Sequence, residues 1–446
     1  MTHIMKRLTL LLLAIAIVLP ANAAKKVKEQ PLAFPDGTIV PDWFLDSSVP
    51  APEQLGKLYN LYDYGLVSSP SLVQTEKIQA VIDKAAEEGG GVIVIPEGIF
   101  KSGSLFFKQG THLYLSRGAV LLGSESILDF PVIQTRIEGE VCRYIAPLIN
   151  IANIDGFVLS GPGTIDGCGT NYWAQFGRRL SWNFSGTNKD EMRPRLVHVS
   201  NSKNVIIADA SLQNSPFWTC HIYKSDHVKV INLRLFSPRR SASADGVDLD
   251  VCTNVLVKNC RFTVNDDAVC FKGGKGPYAD TDKNNGVNEN ILVEDCFFDR
   301  TTGSCVTCGS ECIHTRNVLI RNCKVLDGQN LIQLKMRPDT PQHHEYITFD
   351  NIEGSCLGLL LIDSWRQYFD LKGREDIPRS YGDNIIIRNV DLKTKRFASV
   401  KRYDEEYTVS NVTFENVKVT TDNPEWNRDA IDNVKLVNTF INGVEQ

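Results

Sequence analysis

The stretch NDDAVCFKGG, Asn265 to Gly274, sets two carboxylates, Asp266 and Asp267, at the mouth of a run from Ala268 to Phe271 that otherwise reads as a buried strand. A third acid, Asp245, stands 21 residues earlier in SADGVDLDVC; Ser304 in GSCVTCGSE and Gln333 with Lys335 in NLIQLKMRPD follow. Carboxylates forced together repel, so at least one pKa rises and a proton stays available near neutral pH. A protonated acid beside an ionised one can protonate a leaving oxygen while its neighbour activates water, the pairing that cleavage of a glycosidic bond requires. An Asp-Asp pair alone is equally a turn or a cation site, so the decision rests on what holds these residues together.

What holds them is a repeat. NVIIADASL from Asn204, HVKVINLRL from His227, NVLVKNCRF from Asn254, NILVEDCFF from Asn290 and NVLIRNCKV from Asn317 share one pattern. It continues as YITFDNIEG from Tyr346, NIIIRNVDL from Asn384, NVTFENVKV from Asn411 and NVKLVNTFI from Asn433, with successive starts 22 to 38 residues apart. Each unit alternates apolar and polar residues as a half-buried strand does, then carries Asn or Asp at its sixth position. A short period of strands and polar turns predicts an all-β solenoid, a right-handed parallel β-helix. A β-sandwich gives no reason for one residue type to recur at a fixed phase. The sixth column, Asp209 through Asn438, predicts a polar ladder at a corner where left-handed backbone is tolerated. Cys260, Cys296 and Cys323, at the seventh position of three successive units, predict a line of buried thiols.

Upstream, TEKIQAVIDKAAEEGGG places Ile78, Val81, Ile82 and Ala85 on one helical face, with a glycine stop, and predicts a helix that caps the first coil. One domain is expected over residues 51–446, after a Pro-rich lead-in at 24–50. The segments between repeat units fall in successive coils about 4.8 Å apart, so Asp245, Asp266, Asp267, Ser304, Gln333 and Lys335 converge on one patch.

At these residues the chain resembles glycoside hydrolase family 28, the polygalacturonase and rhamnogalacturonan hydrolase family. DYG at Asp63, GGGVIVIP, RPRLV at Arg193, NSPFW at Asn214 and the ordered series DG, DD, GSE and LK carry the likeness. The resemblance implies an inverting hydrolase of pectic α-linkages, with Asp266 as general acid and Asp245 and Asp267 holding and deprotonating the water. It also implies that Lys335 pairs with a uronate carboxylate. Inversion predicts an acid-to-base separation of roughly 6.5–9.5 Å. The chain departs from the family where Ser243-Ala244 replaces Asn-Thr, Gly303-Ser304-Cys305 replaces Gly-His-Gly and Gln333-Leu334-Lys335 replaces Arg-Ile-Lys. Loss of the Arg removes a bidentate carboxylate clamp. The expected leaving-side sugar is therefore not plain galacturonate, or its carboxylate is held by Arg337 or by the loop Lys275–Asn290, which could also wall off the groove for exo action. The resemblance also implies Trp218 and His221 in the substrate groove, with a core Trp as the alternative, and Lys272 is expected to balance the acids or to line the groove.

Other function classes lose ground on composition. The formal charge is −5, or −7 once Lys6 and Arg7 leave with an expected signal peptide at residues 1–23, against nucleic acid as a partner. That leader, a basic start, an apolar run and Ala21-Asn22-Ala23, implies an exported protein, periplasmic or extracellular, with no integral membrane segment. In CVTCGSECIH, Cys305 and Cys308 should point to opposite faces of a strand, so no metal is expected there, and no cofactor elsewhere. The expected partner is a pectic polysaccharide or oligosaccharide, and the chain a monomer. The competing readings are a Ca²⁺-dependent pectic lyase, with the acids as its cation site, and a non-catalytic glycan-binding β-helix.

Overall fold

Each nine-residue unit turns a corner twice. In the computed structural model, which describes residues 31–446, all nine sixth-position residues have φ between 48° and 63°. So do all nine first-position residues, from 51° at Asn204 to 62° at Asn433, a second left-handed column that the sequence did not signal because His227 and Tyr346 interrupt its Asn. Asn tolerates this conformation, and its amide then spans the gap between coils. Asn259 donates to Asn232 at 2.7 Å and Asn232 to Asp209 at 2.8 Å in one column, while Asn317 donates to Asn290 at 2.7 Å in the other.

Between corners the strands stack in parallel, and the chain winds into a parallel β-helix from Leu58 onward. One wall runs through Lys203–Ala208, Asp226–Ile231 and Thr253–Lys258, and a second through Ser211–Gln213, Arg234–Phe236 and Arg261–Thr263. The third runs through Cys220–Tyr223, Val247–Asp250, Val269–Lys272 and Val306–Cys308 into the strand His314–Met336. Side chains of alternate residues enter the core, so Val247, Leu249, Val269, Phe271, Val306, Ile332 and Leu334 fill it and their neighbours face outward. Cys260, Cys296 and Cys323 are buried thiols, each donating to a carbonyl two residues back, at 3.3, 3.3 and 3.1 Å. Cys305 and Cys308 both lie in the core rather than on opposite faces, because Cys305 precedes the strand and turns inward at its corner.

The helix Thr75–Glu87 covers the first coils with Ile78, Val81, Ile82 and Ala85, the four residues its period selects. The last coil is closed by Val444–Glu445 pairing antiparallel with Phe440–Ile441. Phe34, Val40 and Phe44 of the Pro-rich segment are buried, and Asp36 and Asp46 of that segment pair with Arg316 and Lys229. Two insertions stand outside the coils: the antiparallel hairpin Val132–Ile137 with Glu140–Ile145, and the helix Thr170–Trp182. Among the described residues no helix is long and apolar enough to cross a membrane; the expected signal peptide lies outside them.

Candidate active site

The third wall sets the site by register. Asp248 pairs with Cys270, Thr307 and Gln333 in successive coils, and Asp250 with Lys272. The turn before each strand carries the acids: the Thr219 and Gly246 amides donate to the carbonyls of Asp245 and Asp267, which locks Asp245 and Asp267 side by side. One oxygen each of Asp245, Asp266 and Asp267 lies within 4.8 Å of the others.

Their protonation states are set apart. Asp267 is buried, which by itself raises its pKa, but Lys335 Nζ at 2.7 Å and the Ser304 amide at 2.8 Å hold it below the ordinary value. Asp266 has no such cation; burial first, then the charges of Asp245 and Asp267, push it up to about 8. Asp245 is likewise raised well above its usual range, by burial and by Asp248. Two proton-bearing acids, Asp266 and Asp245, therefore face one ionised carboxylate, Asp267, near neutral pH. Lys272 bridges the cluster from beneath, 3.6 Å from Asp245, 3.7 Å from Asp248 and 3.5 Å from Glu311, and sits 4.9 Å over the Trp218 ring. Lys272 thus stands against the acids and also lines the cavity beside them.

Two ammonium groups already occupy the places a cation would take beside Asp245 and Asp267. A divalent ion there would meet Lys272 and Lys335 at close range, so the donor set does not suit the calcium site of the lyase reading.

Above the acids lies a cavity of about 250 Å³ lined by Glu138, Asn188, Trp218, Ser243, the three acids, Lys272, Ser310, Glu311, Lys335, Trp365 and Gln367. Its walls are insertions tied to one another. Glu138 at the hairpin tip accepts from Asn188 at 2.6 Å, Tyr368 reaches the Gly186 carbonyl at 3.4 Å, and Arg374 donates to the Pro277 carbonyl at 2.6 Å. The hairpin tip is pressed against the loop that begins at Gly274: a Cβ on Gly139 would stand 2.9 Å from the Gly274 carbonyl carbon.

Five expected substrate contacts take other places. Arg337 is buried, forks onto Asp339 at 2.8 and 2.7 Å and donates to the carbonyls of Gln367 and Tyr368; it shapes the wall and has no free face for a carboxylate. His221 is fully buried, 2.6 Å from Arg195 and 3.3 Å from Asp250, and burial holds it neutral with a pKa lowered to about 4. Arg136 forks onto the same Asp250, so His221 anchors the hairpin base. Ser304 and Gln333 bond each other at 2.9 Å and do not line the cavity; Ser304 acts on Asp267 through its amide. Trp218 lines the cavity but is 3% exposed and stacked on Phe217, so it is a floor rather than an open platform.

Sequence reasoning missed Glu138, Asn188, Trp365 and Gln367, which come from insertions outside the repeat. The only signals were Glu138-Gly139 between two alternating runs and the 38-residue interval from Tyr346 to Asn384. It also missed Asp248, which is fully buried with neither oxygen hydrogen-bonded and is pushed up to about 7 by burial against the pull of Lys272. Its carboxyl holds a proton more tightly folded than unfolded, so its burial is tolerated below the ordinary value of about 3.9 and costs stability as pH rises through 7. Asp248→Asn is therefore expected to raise Tm by a few degrees at pH 8.5 and to leave it unchanged at pH 3.5 in scanning calorimetry. Equal shifts at both pH values would place the effect in packing instead.

Against known proteins, the family model for glycosyl hydrolases family 28 matches residues 132–439. A probable polygalacturonase of Vitis vinifera is 30% identical over 229 residues, 49% of this chain and 45% of the relative. An exo-poly-alpha-D-galacturonosidase of Dickeya chrysanthemi is 24% identical over 386 residues, 76% of this chain and 62% of the relative. The chain spans about half the length of the curated relatives it matches. The crystal structure of a hyperthermoactive exopolygalacturonase from Thermotoga maritima superposes with a TM-score of 0.76 at 20% identity, covering 87% of this chain and 93% of that one, which establishes the shared fold.

Proposed function

The chain belongs to glycosyl hydrolases family 28, and from that premise we propose that it hydrolyses α-glycosidic linkages of pectic, galacturonate-containing chains, releasing sugars from chain ends. The observation that carries the reading is the split protonation of three carboxyl groups in one walled cavity. Asp266, raised to about 8, donates its proton to the leaving oxygen; Asp267, held ionised by Lys335, takes a proton from the attacking water; Asp245 orients that water.

The facing oxygens stand closer than the roughly 6.5–9.5 Å expected of inverting carboxyl pairs. A water donating to two oxygens at about 2.8 Å each bridges a gap of nearly 5 Å, so Asp245 and Asp267 can hold one between them. The family resemblance supports inversion, and the product anomer tests it. The hairpin tip at Glu138 and the segment from Trp365 to Gln367, which wall the cavity beside the acids, support exo action by narrowing the room for a through-running chain. The leader pattern of residues 1–23 supports export.

The test is digestion of a panel of defined pectic oligosaccharides, with products sized by chromatography and the new anomer followed by NMR. The expected products are saturated single sugars of inverted configuration. Unsaturated uronates would establish the lyase reading, internal cuts would end the exo reading, and a retained anomer would end inversion.

A further inference from the structure

The hairpin tip is built against its own turn preference. Register places Ile137 opposite Glu140, leaving Glu138-Gly139 as a two-residue turn with φ of 49° and 75°. Such a turn favours Asn or Asp before Gly, and a Glu held in the left-handed region is strained. Strain of this kind at a cavity wall points to a role for the side chain. Glu138 is 6% exposed and lines the cavity; its Oε1 accepts from Asn188 at 2.6 Å, and Oε2 has no donor among the described residues.

The cavity's charges add a second observation. Five carboxyl groups line it, Glu138, Asp245, Asp266, Asp267 and Glu311, of which Asp245 and Asp266 hold protons near neutral pH, against two cations, Lys272 and Lys335. Both cations are already committed: Lys335 to Asp267, and Lys272 to Asp245, Asp248 and Glu311. No Arg or His lines the cavity, and Arg337 is turned away. A uronate seated here would add a carboxylate beside Glu138, with no uncommitted cation among the described residues that line the cavity to meet it. A sugar that presents only hydroxyl groups would instead donate hydrogen bonds to carboxylate oxygens.

We infer that the cavity takes a neutral terminal sugar of a pectic chain, and that Glu138 is a specificity-determining residue that accepts hydrogen bonds from its hydroxyls and repels a uronate. The inference rests on the hydrolase reading for the chemistry, but its binding test stands apart from turnover.

The test is calorimetric titration of the Asp266→Asn protein, which keeps substrates intact, with α-linked pectic trisaccharides that differ only in the terminal sugar: rhamnose, galactose or galacturonate. A neutral-ended trisaccharide is expected to bind at least about 10-fold tighter than the galacturonate-ended one. Adding Glu138→Gln should weaken the neutral-ended trisaccharide by about 10-fold or more, the scale of a lost charged hydrogen bond, and strengthen the galacturonate-ended one. Glu138→Asn, which suits the turn, should raise Tm while weakening the same binding. Equal or tighter binding of galacturonate, unchanged affinity in Glu138→Gln, or a lowered Tm in Glu138→Asn overturns the inference. Wild-type turnover confined to galacturonate-ended chains sinks it while leaving the hydrolase reading intact. Neutral-sugar binding without turnover sinks only the hydrolase reading.

Discussion

Asp266→Asn is expected to lower turnover by about 10³-fold or more while leaving oligosaccharide affinity within a few-fold of wild type. An amide has the shape of the protonated acid but cannot release a proton to a leaving oxygen, and a positioned acid contributes roughly 10²–10⁴-fold. The same residue fixes the pH profile. Its raised pKa means that the acid form is present below about 8 and is lost as pH rises through that value. The wild-type kcat/KM is therefore expected to fall on the alkaline side with a midpoint near 8. A profile flat to pH 10, or an Asn variant with near-normal turnover, would remove Asp266 from the acid role. Retained affinity in the variant separates lost chemistry from a collapsed site.

Lys335→Met carries the second large effect, through Asp267. In the native chain, burial alone would raise the Asp267 pKa, and the ammonium 2.7 Å away reverses that. Removing the cation leaves a buried carboxylate beside two other acids, so it takes up a proton rather than remain charged. Because the folded pKa of Asp267 now lies below its ordinary value, the base is ionised throughout the working range; in the variant it becomes ionised only at higher pH. The acid limb of kcat/KM should move upward by at least one pH unit, and activity at pH 5 should fall about 10²-fold or more, with a smaller loss at pH 7. A uniform loss with no movement of the limb would assign Lys335 to substrate binding alone.

How much of this was legible depends on where a residue lies in the repeat. The nine units fixed the fold because alternation and a polar sixth position recur at one phase, and only stacked coils place such residues in register. The three catalytic candidates and Lys335 were legible for the same reason: their segments occupy equivalent places in successive coils. Lys272 was legible because it ends the strand that the Asp-Asp pair opens. Ser304 and Gln333 were located correctly but given the wrong task, since sequence places two residues on one wall without showing that they bond each other.

Arg337 and His221 mark the limit more sharply. Both have side chains suited to binding a sugar or its carboxylate, and both are consumed by protein partners, Asp339 in one case and Asp250 with Arg195 in the other. Which partner a buried charge takes depends on insertions that follow no period.

The sequence by itself determined the β-helix, the capping helix and the meeting of Asp245, Asp266 and Asp267, because periodic hydrophobicity and left-handed Asn corners are local properties that repeat. Only the tertiary structure decided that the site is a walled cavity, that Asp248 lies buried beneath it and that Glu138 reaches it from a hairpin more than a hundred residues upstream. Those outcomes depend on contacts between aperiodic insertions and on burial, which sets the protonation of each acid and leaves no mark on the order of residues along the chain.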